Sequence, residues 1–527
     1  MMTPREARGR SAVLALLAAG LCQPASGVYE QPQYVCMNKM YGCTTQAGCW
    51  NENSPSTVTQ ASVDLLLSSL NNTRGGDARR LCLGWQINVL DGASAPATKL
   101  ASLDNLLALS EANALPILIA VDAFEFWGGA PQLWNWWNMS LPGFSAANRA
   151  NVEWTGPSPD NATSIAWCDW GAQFRKPPGP NLASAAFRAA SASAMGPLLA
   201  RLAAWHDGLA AKGTQWLLAG IKPAWEAWIG TNYFFYPGGN HFTNADPAND
   251  PTVGISASAQ VGFAAVCTGG GPCAAPLTPA ALDDALNDYL EFVAGAVAAA
   301  GIPRHKVITH AGSFYGAAPT RAVAFNSPRP SVTRAAKPGW SLYSIAHDPR
   351  AGGALEAALD LVSGAPWGAS EWRYMGGNSG TPQEQWHAAF NNTLSYRNNR
   401  LVTVYNWENI PPEALAAAAQ ALAEPPPCLV DAPRGLAAAR RNATHVRLSW
   451  TPGALADAQL LAAGSAPRTD YSGALATADV AAATLDGAAQ GLDVAAAQGA
   501  GFFWTVVSRG CGPQAQLAAA AAAAARV

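Results

Sequence analysis

The fold of this chain is most constrained by a repeated alternation of short apolar runs with alanine- and leucine-rich stretches. The alternation predicts an α/β protein with a parallel sheet, because each helical stretch returns the chain to the edge where the next strand begins. Eight strand-like runs favour a closed (β/α)8 TIM barrel. The predicted strands are Gln33–Met37, Arg80–Ile87, Leu115–Val121, Gln215–Ile221, Lys306–His310, Ser341–Ala346, Ala365–Ser370 and Leu401–Tyr405.

The helical stretches between these runs carry start and stop signals. In the clearest case, Thr278 and Pro279 supply an N-cap and a first-turn proline, a repeating apolar face follows, and Gly301 ends the helix. The link 311–339 between strands five and six has no clear helical pattern. Similar helical stretches are predicted over 57–70, 98–113, 184–211, 351–362 and 383–397.

The predicted barrel domain, residues 28–424, has long loops after strands 3 and 4. A barrel of this type needs only about 250 residues, and the loops that follow its strands build the active-site face. The insertion 123–183 after strand 3 is rich in tryptophan. We expect these indoles either to stack on sugar rings or to form a small core within the loop. They are Trp127, Trp134, Trp136, Trp137, Trp154, Trp167 and Trp170.

Composition and charge exclude some classes of function. The chain is 50% hydrophobic and 13% charged, which is enough apolar sequence for a large core and a second, smaller domain. The formal net charge is −3 and the basic residues do not cluster, so the electrostatic footprint of a nucleic-acid-binding protein is missing. We expect a monomer.

The first residues have the pattern of an export signal. Arg5, Arg8 and Arg10 precede the apolar run 12–21, and small residues then form a cleavage site. Residues 1–27 are predicted to be a signal peptide of a secreted, extracellular protein. No later run reaches the ~18 apolar residues that a membrane span needs. Five N-glycosylation sequons fit export, at Asn71, Asn138, Asn161, Asn391 and Asn442.

Nine cysteines remain once Cys22 is removed with the signal. In an oxidising compartment the favoured close pair is Cys267–Cys273, which brackets a glycine-rich turn. Metal binding is the rival explanation, but no second CxxC or neighbouring histidine pair supports it. The odd number means that one thiol is free or that cleavage occurs elsewhere.

A second domain is predicted after the proline run at 425–427, which is typical of a stiff linker. Alternating strands at 446–452 and 502–508 indicate a β-sandwich over residues 425–512, followed by an alanine-rich tail at 513–527. The first of these strands resembles the B strand of fibronectin type III domains. Cys428 and Cys511 would join the two ends of the domain.

Two glutamates follow predicted strands four and seven. Glu226 lies in KPAWEAWIG and Glu371 in APWGASEW. The ends of these strands meet at the mouth of a closed barrel, and retaining glycosidic cleavage needs an acid/base and a nucleophilic carboxylate about 5–5.5 Å apart. The alternative is structural, with Glu226 as a capping carboxylate and Glu371 as a salt-bridge partner of Arg373.

Over residues 29–424 the chain resembles the clan A, or 4/7, superfamily of retaining glycoside hydrolases. The resemblance implies that Glu226 is the acid/base, that Glu371 is the nucleophile, and that Trp407 in YNWEN stacks under the sugar. Many members have Asn immediately before the acid/base, where it contacts the sugar 2-hydroxyl, whereas this chain has Trp225.

Other strand-end residues are candidates for binding the carbohydrate substrate. Gln86 or Asn88 would replace the missing Asn, and His310 and His347 would contact substrate or orient a glutamate. Asp122, Glu125 and Glu408 are rival carboxylates that would support the site or bind substrate. The predicted substrate-binding residues are Gln86, Asn88, Asp122, Trp127, Trp225, His310, His347 and Trp407.

Other enzyme classes lack their signatures, since the chain has no GxSxG, HExxH or Walker loop, and no GxGxxG after a strand. No metal or organic cofactor is expected. Besides a glycosidase, two classes remain open. One is a catalytically inactive barrel that binds polysaccharide through its tryptophan loop, and the other is an adhesion protein whose sandwich domain carries the partner site.

Overall fold

The computed structural model describes residues 32–39, 58–92, 94–169, 173–230, 260–312, 327–362 and 365–424, together with the backbone of seven strands between Arg434 and Arg526. The predicted signal peptide, the proline linker, Asn442, Cys428 and Cys511 lie outside the described residues, as do the side chains of Trp167 and Trp170. The chain divides into two compact units, Gln31–Pro426 and a second that contains Pro427–Val527.

The first unit contains eight parallel strand positions that close into a ring. Seven strands form one sheet in the order β4-β3-β2-β1-β8-β7-β6. The extended segment 307–311, here β5, bridges in parallel to β4 through Ile221 and Val307 and to β6 through Ala311 and Trp340. An α/β barrel is the result. The strands are β1 (Gln33–Lys39), β2 (Arg79–Asn88), β3 (Ile117–Asp122), β4 (Leu218–Lys222), β5 (307–311), β6 (Gly339–Leu342), β7 (Trp367–Trp372) and β8 (Asn399–Val404).

Helices follow the strands as the sequence predicts. Thr278 caps one of them, because its side chain accepts a hydrogen bond from the Ala281 backbone N–H. One face of each helix packs on the outside of the barrel in the main apolar core. The principal helices are α1 (Gln60–Ser69), α2 (Pro96–Asn113), α3 (Ala185–Lys212), α4 (Pro279–Ala299), α5 (Gly353–Leu361), α6 (Pro382–Leu394) and α7 (Pro412–Ala423).

The boundaries of two predicted strands are wrong. Strand six was expected over Ser341–Ala346, but β6 is Gly339–Leu342 and the chain turns directly after it. The early start requires glycine, since a Cβ on Gly339 would overlap Ser370 Oγ. Strand four was expected from Gln215, where a 3-10 turn instead precedes β4.

Two disulfides join described cysteines. The predicted Cys267–Cys273 bond is present. A second bond joins Cys36 to Cys82, which lie directly opposite each other on β1 and β2. The cluster that contains this second bond is separate from the core under the helices and fills the inside of the barrel. Its other members are Tyr34, Leu118, Ala219, Ile308 and Leu401.

The described tryptophans of the loop after β3 belong to the main apolar core or pack against it, and do not form a separate core within the loop. Trp134 and Trp154 are buried, and the Trp154 indole N–H donates to the carbonyl of Arg149. Trp136 and Trp137 are partly exposed and pack edge to face, with ring centroids 6.0 Å apart. The loop therefore contains both buried tryptophans and tryptophans with accessible surface.

The C-terminal unit contains two antiparallel sheets. The first has three strands in the order β9-β10-β13, and the second has four in the order β12-β11-β14-β15. These strands are β9 (Arg434–Arg440), β10 (His445–Thr451), β11 (Ala458–Gly464), β12 (Ala481–Asp486), β13 (Gly491–Ala495), β14 (Gly501–Arg509) and β15 (Leu517–Arg526). The segment expected to be an alanine-rich tail therefore contributes β15 to the second sheet.

Among the helices of the described residues, none combines the length and the apolar character needed to cross a membrane.

Candidate active site

The two glutamates predicted from sequence lie together at the C-terminal end of the barrel. Glu226 follows β4 and Glu371 is in β7. One oxygen of each carboxylate and one ring nitrogen of His310, which lies in β5, are all within 4.8 Å of one another. Three strand ends therefore bring two acidic groups and an imidazole to one point.

The backbone of Glu226 adopts a conformation that is uncommon for a residue with a side chain, with a φ of +36°. Backbone hydrogen bonds from the residues on either side of Glu226 hold this conformation. The N–H of Trp225 donates to Asp122 Oδ1 at 3.0 Å, and the N–H of Ala227 donates to the His310 carbonyl at 3.1 Å. Such strain persists only where the surroundings enforce it, and it is concentrated at functional sites.

A chain of hydrogen bonds connects Glu226 to His310 through Ser341. Ser341 Oγ donates to Glu226 Oε1 at 2.5 Å, and His310 Nε2 lies 2.8 Å from the same hydroxyl. His310 is fully buried, and the ring of Trp225 packs edge-on against it with centroids 5.1 Å apart. Burial first, and then the charge of Lys222, lower the pKa of His310 well below its usual value, so the imidazole is neutral.

Glu371 is buried and accepts a hydrogen bond on Oε1 from the hydroxyl of Tyr343. Its Oε2 is 3.7 Å from His310 Nε2. Burial raises the pKa of Glu371, and the negative charges of Glu226 and Glu125 act in the same direction. Lys222 opposes them and favours the charged carboxylate.

Lys222 is a buried cation next to the two glutamates. Its Nζ donates to the carbonyl of Ser370 at 2.9 Å and lies 3.8 Å from the ring centroid of Trp225. Burial lowers the pKa of Lys222 to about 7, against the opposing effects of Glu371 and Glu226. Lys222 was not predicted from the sequence, although a lysine that ends an otherwise apolar strand is a visible signal.

Within the part of the chain that the structure describes, Glu226, His310 and Glu371 are also the set that would hold a metal ion. Ser341 already occupies an oxygen of Glu226 and the Nε2 of His310, and Tyr343 occupies an oxygen of Glu371. A dication would have to replace these bonds beside the cation of Lys222. The residues therefore fit hydrogen bonding within the protein better than metal ligation.

Three predicted substrate-binding residues are instead part of the support around the site. Asp122 is fully buried and accepts backbone N–H bonds from Phe124, Glu125 and Trp225. Trp225 is 2% exposed, because its ring fills the space between Lys222 and His310. Trp127 is buried as well, and its indole N–H donates to the Pro178 carbonyl. All three are buried, and their binding of substrate stays a prediction.

The remaining predicted residues are divided between the barrel and its loops. Gln86 donates to Asn88 at 2.8 Å, and both are buried at the end of β2. Trp407 is buried in a 3-10 turn after β8. His347 does not end strand six, because it lies in the turn beyond β6, where Nδ1 is 3.0 Å from the Ser344 carbonyl.

The alternative of a salt bridge between Glu371 and Arg373 is not supported, since the Arg373 guanidinium donates to the Asn409 carbonyl at 3.4 Å. Partly exposed side chains surround the carboxylate pair at the mouth. Tyr343 and Tyr405 form an edge-to-face pair with centroids 6.4 Å apart, and Glu125 is partly exposed.

No protein-family profile matches this sequence, and no curated protein sequence matches it significantly. Solved structures are similar only at low identity. A Cellulomonas fimi endo-beta-1,4-mannanase double mutant is 12% identical over 93% of this chain and 94% of its own, with a TM-score of 0.32. A GH5-4 broad specificity endoglucanase from an uncultured bacterium is 10% identical over 75% of this chain and 95% of its own, with a TM-score of 0.35.

The C-terminal strands are similar to an FN3 domain of human collagen XX, which is 17% identical over 19% of this chain and 95% of its own, with a TM-score of 0.15. These scores are too low to support a function. The function must therefore be inferred from the chain's own geometry.

Proposed function

We propose that this protein is a secreted retaining glycoside hydrolase in which Glu226 is the acid/base and Glu371 the nucleophile. The observation that carries the proposal is the carboxylate pair, in which one oxygen of Glu226 and one oxygen of Glu371 lie within 4.8 Å of each other at the barrel mouth. Retaining enzymes have carboxyl groups about 5–5.5 Å apart, whereas inverting enzymes need about 6.5–9.5 Å to admit a water molecule. The spacing supports double displacement.

In the first step, a Glu371 oxygen attacks the anomeric carbon while Glu226 protonates the departing glycosidic oxygen. In the second step, Glu226 removes a proton from water, which attacks the same carbon and releases Glu371. The first step requires that the pair holds one proton in total, a property of two coupled carboxylates. The second step begins with Glu226 ionised and Glu371 bonded to the sugar. Tyr343 and Lys222 favour the charged form of Glu371, against the burial that raises its pKa.

The substrate in this proposal is a poly- or oligosaccharide. The partly exposed Trp136 and Trp137, on the loop that follows β3, offer aromatic surface for sugar rings. Secretion is supported by the two disulfides and by the exposed sequon residues Asn71 and Asn161.

The proposed domains are a signal peptide at 1–27, a catalytic barrel at 28–424 and a fibronectin type III-like domain from 425. Two antiparallel sheets of three and four strands support a sandwich. A protein that ends at Pro426 should fold and cleave small substrates, because the barrel has its own core. Aggregation of that shortened protein would contradict the division into independently folding domains.

The decisive test uses a panel of aryl glycosides and NMR detection of the first anomer released. The wild type should give the retained anomer, and Glu371→Gln should lose nearly all activity. Glu226→Ala should keep activity on substrates with activated leaving groups. Glu413→Gln, an exposed carboxylate in the first turn of α7, is the matched control. Full activity of Glu371→Gln, or an inverted product, would refute the proposal.

One observation favours a second candidate, a barrel that binds polysaccharide without cleaving it. The position that precedes the acid/base is occupied by a buried tryptophan, so no amide is available there for a sugar hydroxyl. Glycan-array binding by a protein that is inactive on the whole aryl glycoside panel would select this alternative.

A further inference from the structure

One oxygen of the candidate acid/base accepts a hydrogen bond from a side chain that carries no charge. Ser341 Oγ is 2.5 Å from Glu226 Oε1 and 2.8 Å from His310 Nε2. Ser341 and His310 are both fully buried, so water does not compete for these two bonds. The positions of the hydrogens in these two hydrogen bonds determine which oxygen of Glu226 is able to carry a proton.

A serine hydroxyl has a single hydrogen. With Glu226 ionised, that hydrogen points to the carboxylate, since a charged acceptor makes the stronger bond. The remaining lone pairs of Ser341 Oγ then face His310, which must present Nε2–H. The neutral ring carries its hydrogen on Nε2 in this arrangement, and Nδ1 is bare.

Protonation of Glu226 on Oε1 would reverse both hydrogen bonds and move the imidazole hydrogen to Nδ1. Nδ1 of His310 is buried and has no hydrogen-bond partner among the described residues, so an N–H there would be unsatisfied. An imidazolium is disfavoured by burial and by Lys222. Protonation on Oε2 leaves both bonds unchanged.

We propose that His310 and Ser341 form a donor chain that keeps Oε1 of Glu226 as an acceptor and confines the transferable proton to Oε2. This inference rests on the proposed function, because it assigns the acid's proton to one oxygen. His310 and Ser341 are then positioning residues that act through Glu226. Burial and the charge of Lys222 keep the ring neutral, and Trp225 packs edge-on against it. Glu371 is the carboxylate that faces the ring, with Oε2 3.7 Å from Nε2.

The kinetic test compares aryl glycosides with good and poor leaving groups, such as dinitrophenyl and phenyl. Ser341→Ala should lower kcat on the phenyl glycoside roughly tenfold more than on the dinitrophenyl glycoside, since only the former needs the proton. Ser341→Thr keeps a hydroxyl and should retain the wild-type ratio. His310→Gln keeps a donor near Nε2 and should also retain it, whereas His310→Leu should behave like Ser341→Ala.

The second readout does not depend on catalysis. In ¹⁵N-histidine NMR spectra, the His310 signals, assigned by their loss in His310→Gln, should show a neutral ring with Nε2–H between pH 5 and 8. An Nδ1–H tautomer, or equal losses on both substrates in Ser341→Ala, would overturn the donor chain. If the wild type cleaves no glycoside, the proposed function fails. The tautomer of His310 would still show whether the donor chain exists.

Discussion

The ammonium group of Lys222 donates to the carbonyl of Ser370, the residue immediately before Glu371. One buried cation therefore connects the end of β4 to the strand that carries the candidate nucleophile. Two carboxylates so close together repel each other, and the positive charge of Lys222 offsets part of that repulsion.

Lys222→Met should move the acidic limb of the kcat/KM profile to higher pH. Lys222 lowers the pKa of Glu371, so its removal raises that pKa and the nucleophile becomes charged only at higher pH. The measurement is kcat/KM against pH on an aryl glycoside. Lys306→Met removes another buried lysine, one that bonds the Leu218 carbonyl at the start of β4, and is the control. An unchanged acidic limb in Lys222→Met would contradict this role.

Tyr343→Phe should lower kcat by roughly tenfold, because the Glu371 carboxylate loses the donor that stabilises its charge. Tyr374→Phe removes a hydroxyl that bonds Gln385 and Asn378, away from the carboxylates, and should change stability more than kcat. Equal kcat values for the two variants would show that the Tyr343 hydroxyl does not act on the reaction.

The tryptophans of the loop after β3 should separate into two groups. Trp137→Ala should weaken turnover of polysaccharide by about 1–2 kcal/mol with little change in melting temperature, because the ring is partly exposed. Trp154→Ala opens a buried cavity and should cost about 3–5 kcal/mol of stability. Melting curves and polysaccharide kinetics on both variants make the comparison. A large loss of stability in Trp137→Ala would make that ring structural.

The buried carboxyl group of Glu153 should make the stability of the folded barrel depend on pH. It is buried, accepts a hydrogen bond from the Gly262 N–H, and burial raises its pKa to about 8 from 4.5. Because the folded pKa exceeds the unfolded one, the stabilisation is complete below pH 4.5 and is lost as pH rises through 8. Urea titrations should show a free energy of unfolding that falls between pH 4.5 and 8, and Glu153→Gln should remove the part of this fall that Glu153 causes. The exposed Glu413→Gln should retain it.

The sequence predicted the features that depend on local pattern. Strand ends placed Glu226 and Glu371 at the same face, and Thr278 marked the start of α4. Long-range contacts decided the rest. The early start of β6 depends on the close approach of Gly339 to Ser370 in β7.

The roles of the aromatic residues could not be derived from composition. Trp225 and Trp127 resemble binding residues in sequence, yet tertiary packing places both rings in the interior. The Cys36–Cys82 bond depends on the register of β1 against β2, which the sequence does not specify.

The left-handed backbone of Glu226 has an evolutionary consequence. A glycine at this position would relieve the conformational cost of the positive φ, so mutation without selection for chemistry would favour replacement of the glutamate. A barrel that had ceased to catalyse would gain stability by this replacement and lose nothing. Under the proposed function, the glutamate would be retained at this strained position for its chemistry and not for stability.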